Sequence, residues 1–422
     1  MKIFDIKTVW LLFQIVFFYF TFSYSVLAQV VVELSLSEVQ EKALIHNYSL
    51  QAEALFSKAK YKLIKSATIL PKTELSISLG QMNTIRFDEN ISISQKITHP
   101  IHQKAKRQLA KDQATLASLK TDLSKKKIQL EIAKNWHHLL YLREIRQVLF
   151  KEDSLLSEFL KVTTFRFDRG DIGVLEKMTA ENKQQQSSQA LREVENLITI
   201  QKMEIKQLAG FTEDFRPADS VFTKMNFTLP NSWDALKNNL VMQYAQAEVK
   251  AVKAEEYLAK KEVLADFQIG YSIQSLAGPM EINNQNKNFN ALPQFQTLTL
   301  GAAVPIFGQA AYKAKSESVG LRVQALKMEQ SALEKQLESR SDQLLERYNF
   351  YQQHLNYFEK IALPNSKRLI QYAKISYKNG ESDYIAYLQA LEIDLNNKKN
   401  YWRTLLELNQ TILELQNLLL ST

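Results

Sequence analysis

Phe167-Asp168-Arg169-Gly170-Asp171-Ile172-Gly173-Val174-Leu175, followed by Ala180, decides the fold, because the chain carries this pattern twice. Phe167, Gly170, Leu175 and Ala180 are spaced by three, five and five residues. Tyr377, Gly380, Ile385 and Ala390 keep that spacing 210 positions later. Each copy follows one long helical pattern and opens another. A period this long is not a solenoid unit of about 20–50 residues. It points to a duplicated half, and so to one structure built from two similar layers.

Working outward from the two copies, each half reads in the same order. In the first half, Leu36 to Lys65 is helical, with Val39, Ala43, Leu44 and Leu50 at helical spacing. Pro71 breaks it. Leu75-Ser76-Ile77-Ser78-Leu79 and Ile91-Ser92-Ile93-Ser94-Gln95 then alternate as half-buried strands do, with a polar turn between them. Gln103 to Leu142 and Gln147 to Leu208 are long charged helical patterns, the second interrupted at Gly170 and Gly173. In the second half, Trp233 to Lys261 is helical, Phe267 to Tyr271 and Phe295 to Val304 are strands, and Leu276 to Pro293 is a polar loop. Ala310 to Asn356 and Glu359 to Leu420 are helices, interrupted at Asn379-Gly380. Asn47-Tyr48-Ser49-Leu50-Gln51 has a loose counterpart in Asn239-Leu240-Val241-Met242-Gln243. The expected boundaries are a leader over 1–28, a first repeat over 29–210 with a β-hairpin at 73–98, a linker over 211–230, and a second repeat over 231–422 with a β-hairpin at 266–304.

Leu191, Val194, Ile198, Ile205 and Leu208, and later Leu395, Trp402, Leu405, Ile412 and Leu419, form narrow seams suited to side-by-side coiled-coil packing. Ten glycines and eight prolines in 422 residues are few, so the elements must be long. A helix of about 60 residues is about 90 Å long, which suits an elongated bundle or tube.

Lys2 and Lys7, the uncharged run Val9–Phe22 and Val26-Leu27-Ala28 form a secretory signal pattern, with cleavage expected before Gln29; an uncleaved anchor is the alternative. Past Gln29 no stretch is long and apolar enough for a transmembrane helix, so any span must be made of strands. The strands are about the length that crosses a bilayer when tilted. Four strands cannot close a barrel, and an open sheet in lipid leaves backbone groups unpaired. Chains must therefore pool their strands, three chains giving twelve. The other reading is a small soluble sheet packed on the helices.

There is no cysteine, which excludes disulfides, thiolate metal sites, cysteine nucleophiles and a lipid-bearing cysteine. The net charge of +8 is spread along the chain, and its tight run Lys125-Lys126-Lys127 reads as a solvated helix face rather than a nucleic-acid site. His99 and His102 flank Pro100 without a third ligand. His137 and His138 are adjacent and cannot chelate as an i, i+4 pair would. The eight methionines are scattered. No phosphate loop or nucleophile motif is recognisable, so neither an enzyme nor a cofactor is expected.

From Leu34 to Leu420 the chain resembles the TolC-like outer-membrane efflux protein family. The carriers are the doubled order of elements, the motif at Phe167–Ala180 and Tyr377–Ala390, Leu70-Pro71 before the first strand, His99-Pro100-Ile101, and the strand exit Val304-Pro305-Ile306-Phe307-Gly308. The resemblance implies a mostly α fold with a small β part. Its long coiled-coil hairpins would form an α-helical barrel, and its two β-hairpins would join a shared trimeric twelve-stranded transmembrane β-barrel. It implies a homotrimer in the lipid of a Gram-negative outer membrane. The partners would be a periplasmic adaptor and an inner-membrane RND-type pump. Gly170 and Gly380 would mark a mid-tunnel interruption of the helices, and the hairpin tips would lie near Arg143–Gln147 and Gln353–Tyr357. Glu152, Asp153 and Glu359, just past those tips, would be tunnel-mouth charges able to attract cations. Chain length and the strand end Gln95–Pro100 look most like the cation-efflux branch of the CzcC/CusC type, so the expected cargo is a heavy-metal cation, or else a drug. The rival reading is a periplasmic coiled-coil adaptor or structural protein without a channel; an adaptor would show one helical hairpin flanked by β-rich segments.

Overall fold

The computed structural model describes residues 32–82, 87–219, 221–228, 236, 238–275, 278–282, 285–289, 293–379 and 381–419. The leader expected over 1–28 and the glycine at position 380 lie outside them. Within them the order is β1 (Val32–Leu34), α1 (Leu36–His46), α2 (Tyr48–Ser66), β2 (Glu74–Gly80), β3 (Asp88–Ile97), α3 (Pro100–Asp168), α4 (Val174–Ala209), β4 (Phe215–Pro217), α5 (Leu240–Lys261), β5 (Asp266–Ser275), β6 (Gly278–Ile282), β7 (Gln285–Phe289), β8 (Pro293–Ala303), α6 (Gln309–Tyr357), a π-helical turn (Phe358–Ala362), α7 (Leu363–Lys378) and α8 (Tyr384–Leu419).

The longest helix, α3, has 69 residues and is about 100 Å long. Proline is tolerated at its first turn, where no backbone donor is needed, and no glycine or further proline follows until Gly170. It therefore runs straight through Arg143–Gln147, where a hairpin tip was expected. Ile145, Val148 and Leu149 are buried there, continuing the apolar stripe. The tip expected at Gln353–Tyr357 is also a continuation: α6 passes into the π-helical turn and on into α7. Pro364 lies just beyond. A proline removes one donor and crowds the carbonyl four residues back, and a wider turn relieves both.

The reversals lie elsewhere. Cross-helix bonds between α3 and α4 close in sequence from a separation of 63 at His138–Gln201 to 49 at Arg146–Glu195, 35 at Asp153–Ser188 and 27 at Ser157–Gln184. They converge on Gly170. Its φ of 76° is the left-handed conformation that ends helices. Gly170 N–H donates to the Phe167 carbonyl and Asp171 N–H to that of Arg166, both at 2.9 Å, forming a Schellman motif. At the second reversal Glu381 N–H donates to the Ser376 carbonyl at 2.9 Å, the equivalent bond. The two interruptions are hairpin tips, not mid-helix breaks.

Strands β2, β3, β5 and β8 form one antiparallel sheet in that order. The segment 276–293, expected as a loop, contains the separate hairpin β6–β7, with Ile282 opposite Gln285. Its asparagine-rich composition has little strand propensity and hides the pairing. Helix α3 packs against α2, α4, α5 and α8, and α8 packs against α6 and α7. The main core sits where the segment after α4 crosses the helices. There Trp136, Phe215, Leu405, Leu408 and Ile412 are buried, and Trp136 stacks on Phe215 with ring centroids 5.9 Å apart.

Candidate functional site

Cross-strand partners in a sheet share a face. One face of the four-stranded sheet carries the row Leu75, Ile93, Tyr271, Leu298 and the row Ile77, Ile91, Ile273, Gln296. The other face carries Ser76, Ser92, Ser272, Thr297 and, beside it, Glu74, Ser94, Gly270, Thr299. The separation of apolar from hydroxyl side chains is complete across these four rows, apart from Gln296 near one end. Charge lies toward the sheet's ends, as at Lys96, which pairs with Glu74 at 3.5 Å.

The apolar face covers no core. Leu75 is 68 % exposed, Leu298 65 % and Leu300 74 %. A small soluble sheet would lay this face on helices. Among the described residues, β2 and β8 also have no strand on their outer sides. An exposed apolar face combined with two open backbone edges is a liability in water. Lipid against the face and further strands at the edges remove it.

At the opposite end the two hairpin tips touch. Arg166 Nη1 donates to the Tyr377 hydroxyl at 3.2 Å, and the guanidinium lies 5.9 Å from that ring's centre. Tyr377 stacks on Tyr387, and both rings meet Phe159. Ala180 and Ala390, the last members of the two motifs, are buried, where a small side chain lets helices approach. Phe167 is half-buried beneath the Lys177 ammonium. Leu175 and Ile385 are exposed on the two tips. Position 380 lies outside the described residues; beside it Asn379 N–H donates to the Ile375 carbonyl at 3.0 Å and Glu381 N–H to that of Ser376.

Glu152, Asp153 and Glu359 do not lie at these tips. Glu152 pairs with Lys399 of α8 at 3.3 Å. Asp153 accepts from Ser188 and Gln184 of α4. Glu359, in the π-helical turn, accepts from the Tyr401 hydroxyl at 3.5 Å. Each ties neighbouring helices partway along a hairpin; moving the tips about 25 residues along the chain removes them from any mouth formed there.

His99, His137 and His138 have local partners, whereas the Nε2 of His102 is buried without one. His99 caps α3, its Nδ1 accepting from Ile101 N–H at 3.2 Å. His138 Nδ1 meets Gln201 Oε1 at 2.6 Å. His137 is buried beside Asn409 and Phe222, and burial pushes its pKa down to about 4. Among the described residues no three His, Asp or Glu side chains converge on a common point.

Two features were not legible at the sequence level. Glu414 of α8 receives both Lys134 of α3 and Arg340 of α6. Burial alone would raise its carboxyl, but the two cations hold it below the usual range. The Arg166–Tyr377 link is the other. Nothing in spacing signals pairs so far apart in sequence.

No protein-family model matches the sequence, and no curated protein sequence matches it. Solved structures do match. The CmeC outer-membrane channel of Campylobacter jejuni aligns with a TM-score of 0.78 at 13% identity, covering 91% of this chain and 85% of that one. This chain has the fold of outer-membrane channels. The MtrE outer-membrane channel of Neisseria gonorrhoeae, in its open state, aligns at 0.74 and 15% identity, over 94% and 93%. CusC aligns at 0.77 and 13%, over 92% of each chain. These scores are too even to single out one branch. The channel fold accounts for the mostly α architecture with its small β part.

Proposed function

We propose that the chain is the outer-membrane channel of a tripartite efflux assembly, passively conducting what an inner-membrane pump delivers through a periplasmic adaptor. The observation that carries this is the exposed apolar face of an open four-stranded sheet, set on helices about 100 Å long. Three copies pooling four strands each would close a barrel of twelve, with the apolar face in lipid and the serine rows lining the lumen. The long hairpins would form the periplasmic tunnel. The tips that carry Gly170 and Tyr377, with Leu175 and Ile385 exposed, would face the adaptor. On this reading the two repeats over 29–210 and 231–422 supply near-equivalent staves. Transport needs no reactive group, since the pump supplies the energy and control is the parting of packed helices at the tips.

The likeness to outer-membrane channels supports this reading, and the outer membrane of a Gram-negative cell is the location it requires. Cell fractionation tests it. Recovery in the outer membrane as a detergent-stable trimer is expected; a monomer in the soluble periplasmic fraction would overturn it in favour of the adaptor reading. For the cargo we carry heavy-metal cations and drug-like molecules. Deleting the gene and challenging cells with Zn, Cu, Co and Ni salts, dyes and antibiotics separates them: metal sensitivity supports the cation reading, and unchanged metal tolerance counts against it.

A further inference from the structure

We infer that the junction between the helices and the sheet is a docking surface for anionic phospholipid headgroups, built from the first hairpin's lysines and the apolar residues beside them. The inference rests on the channel reading for its placement at a membrane.

The carriers are Lys58, Lys60, Lys62, Lys65 and Lys72, all exposed, in a stretch from 54 to 73 that contains no aspartate or glutamate. Helix α2 bonds to α3 through Glu53, which receives Lys120 at 3.1 Å and the Thr121 hydroxyl at 3.3 Å. The β-hairpin turns the chain back, so the end of α2 lies alongside the beginning of α3. Lys104, Lys106, Arg107 and Lys111 are exposed there, and 98–111 is also free of acids. Among the described residues none of these cations is in an ion pair. The second half differs at the same level. Its Lys260, Lys315 and Arg322 pair with Glu256, Glu262 and Glu255. Of the two junctions, the first carries more of the unpaired charge.

Apolar side chains stand beside that charge. Ile69 is 73 % exposed and Leu70 46 %, just before β2. Ile306, 73 % exposed, and Phe307, 90 %, stand just after β8, at the sheet's opposite edge. Both pairs lie at the helix-side ends of the sheet's two edge strands, and it is Ile69 and Leu70 that adjoin the unpaired lysines. Apolar residues that enter the headgroup boundary, flanked by lysines, bind surfaces of negative charge. A lysine's long stem also lets its ammonium reach a phosphate above the boundary while its carbons stay against apolar surface. Charge complementarity therefore selects an anionic phospholipid over a zwitterionic one.

The test uses the purified chain in neutral detergent, titrated with dioctanoyl-phosphatidylglycerol, with its phosphatidylcholine counterpart and with glycerol 3-phosphate. A ligand that binds the folded state raises the melting temperature saturably. The glycerol lipid should raise it by about 2 °C or more, and the other two should not. Combined Lys58→Gln, Lys62→Gln, Lys65→Gln and Lys72→Gln should abolish the rise while leaving the unliganded melting temperature within about 1 °C, since these side chains are exposed and unpaired. Lys125→Gln, Lys126→Gln and Lys127→Gln together should keep it. An equal rise with phosphatidylcholine, a rise reproduced by glycerol 3-phosphate, a rise surviving the fourfold variant, or equal loss in the threefold control would each overturn the inference. Fractionation reports separately on the channel. A soluble chain that kept the lipid response would retire the channel and leave the surface standing, and an outer-membrane trimer without the response would do the reverse.

Discussion

Asn239 joins two helices end to end: its side-chain amide donates to the carbonyl of Leu418 at 2.8 Å while its oxygen accepts from Val241 N–H at 2.7 Å. Asn47 does the same, donating to Leu208 at 2.8 Å and accepting from Leu50 N–H at 3.0 Å. The last carbonyls of one helix and the first amides of the next lack intrahelical partners. One asparagine serves both, so α4 meets α2, and α8 meets α5, without an exposed break. Gln51 and Gln243 reinforce the joints by donating to the carbonyls of Ile45 and Asn238. Asn239→Ala removes both bonds at a buried position and is expected to cost about 1–3 kcal/mol. Asn239→Asp should not restore stability, because a carboxylate has no N–H for Leu418. Urea unfolding midpoints check both, and Asn47→Ala should fall in the same range.

The glycines at the joints and tips rank by geometry. Gly210 caps α4 with φ 71°, and a Cβ there would lie 2.7 Å from the His46 carbonyl oxygen. Gly170 has φ 76° but open space around it, and Gly173 has open space without a positive φ. Gly210→Ala should be the most destabilising, combining a clash with backbone strain. Gly170→Ala should cost about 1–2 kcal/mol from strain alone. Gly173 is the N-cap of α4, where alanine is less favoured than glycine, so Gly173→Ala should cost least of the three, about 0.5–1 kcal/mol. Thermal unfolding of the three variants checks the order, and an inversion of Gly210 and Gly173 would refute it.

The alternation in Leu75–Leu79 and Ile91–Gln95 made the strands legible before the structure, because a period of two needs only local sequence. The pairing of Asn47 with Asn239 was visible as a loose likeness, but its cause was not, since Leu208 and Leu418 lie far along the chain. The tips were misplaced for a physical reason. The resemblance placed one near Arg143–Gln147, but that segment is itself composed mostly of helix formers, and buried Ile145 and Val148 carry the helix through it. Only glycine at positive φ stops it, and that glycine was already in the motif. The sheet's amphipathic face is less legible in the sequence, because each strand's alternation is short and only the register aligns four such patterns into one face.

Acid should loosen the helical body in two steps. His137 is held neutral, with its pKa lowered to about 4 from 6.5, first by burial, against a smaller opposing pull from Asp219. The unfolded chain binds the proton more readily between those values. The stability His137 contributes is thus fully present above about pH 6.5 and is lost as pH falls toward 4, by about 2 kcal/mol at pH 5. Glu414 acts lower. Its carboxyl is depressed, so the stability it contributes with Lys134 and Arg340 is present above the ordinary glutamate value of 4.5 and is lost below it. Urea midpoints from pH 7.5 to 5 should fall in the natural chain and stay flatter in His137→Gln. An equal slope in both would remove His137 as the cause.

The two faces of the sheet should respond oppositely to one added charge. Ser92 and Ile93 are neighbours on β3, paired across the strand with Ser272 and Tyr271. Ser92 lies in the hydroxyl rows and Ile93 in the exposed apolar ones. If the apolar face meets lipid, Ile93→Lys places an ammonium in hydrocarbon, at about 2–4 kcal/mol per chain near the midplane. Three copies in one barrel multiply that cost, so outer-membrane yield should collapse. Ser92→Lys faces the aqueous side and should leave yield within about twofold, since substitution toward the lumen alters selectivity rather than insertion. It should instead shift the reversal potential of the channel in planar bilayers toward anions. The absence of cysteine provides a second readout: Ser92→Cys should react with a membrane-impermeant thiol reagent and Ile93→Cys should not. A soluble sheet predicts a different pattern, with both lysine variants recovered from the periplasm and both cysteines labelled.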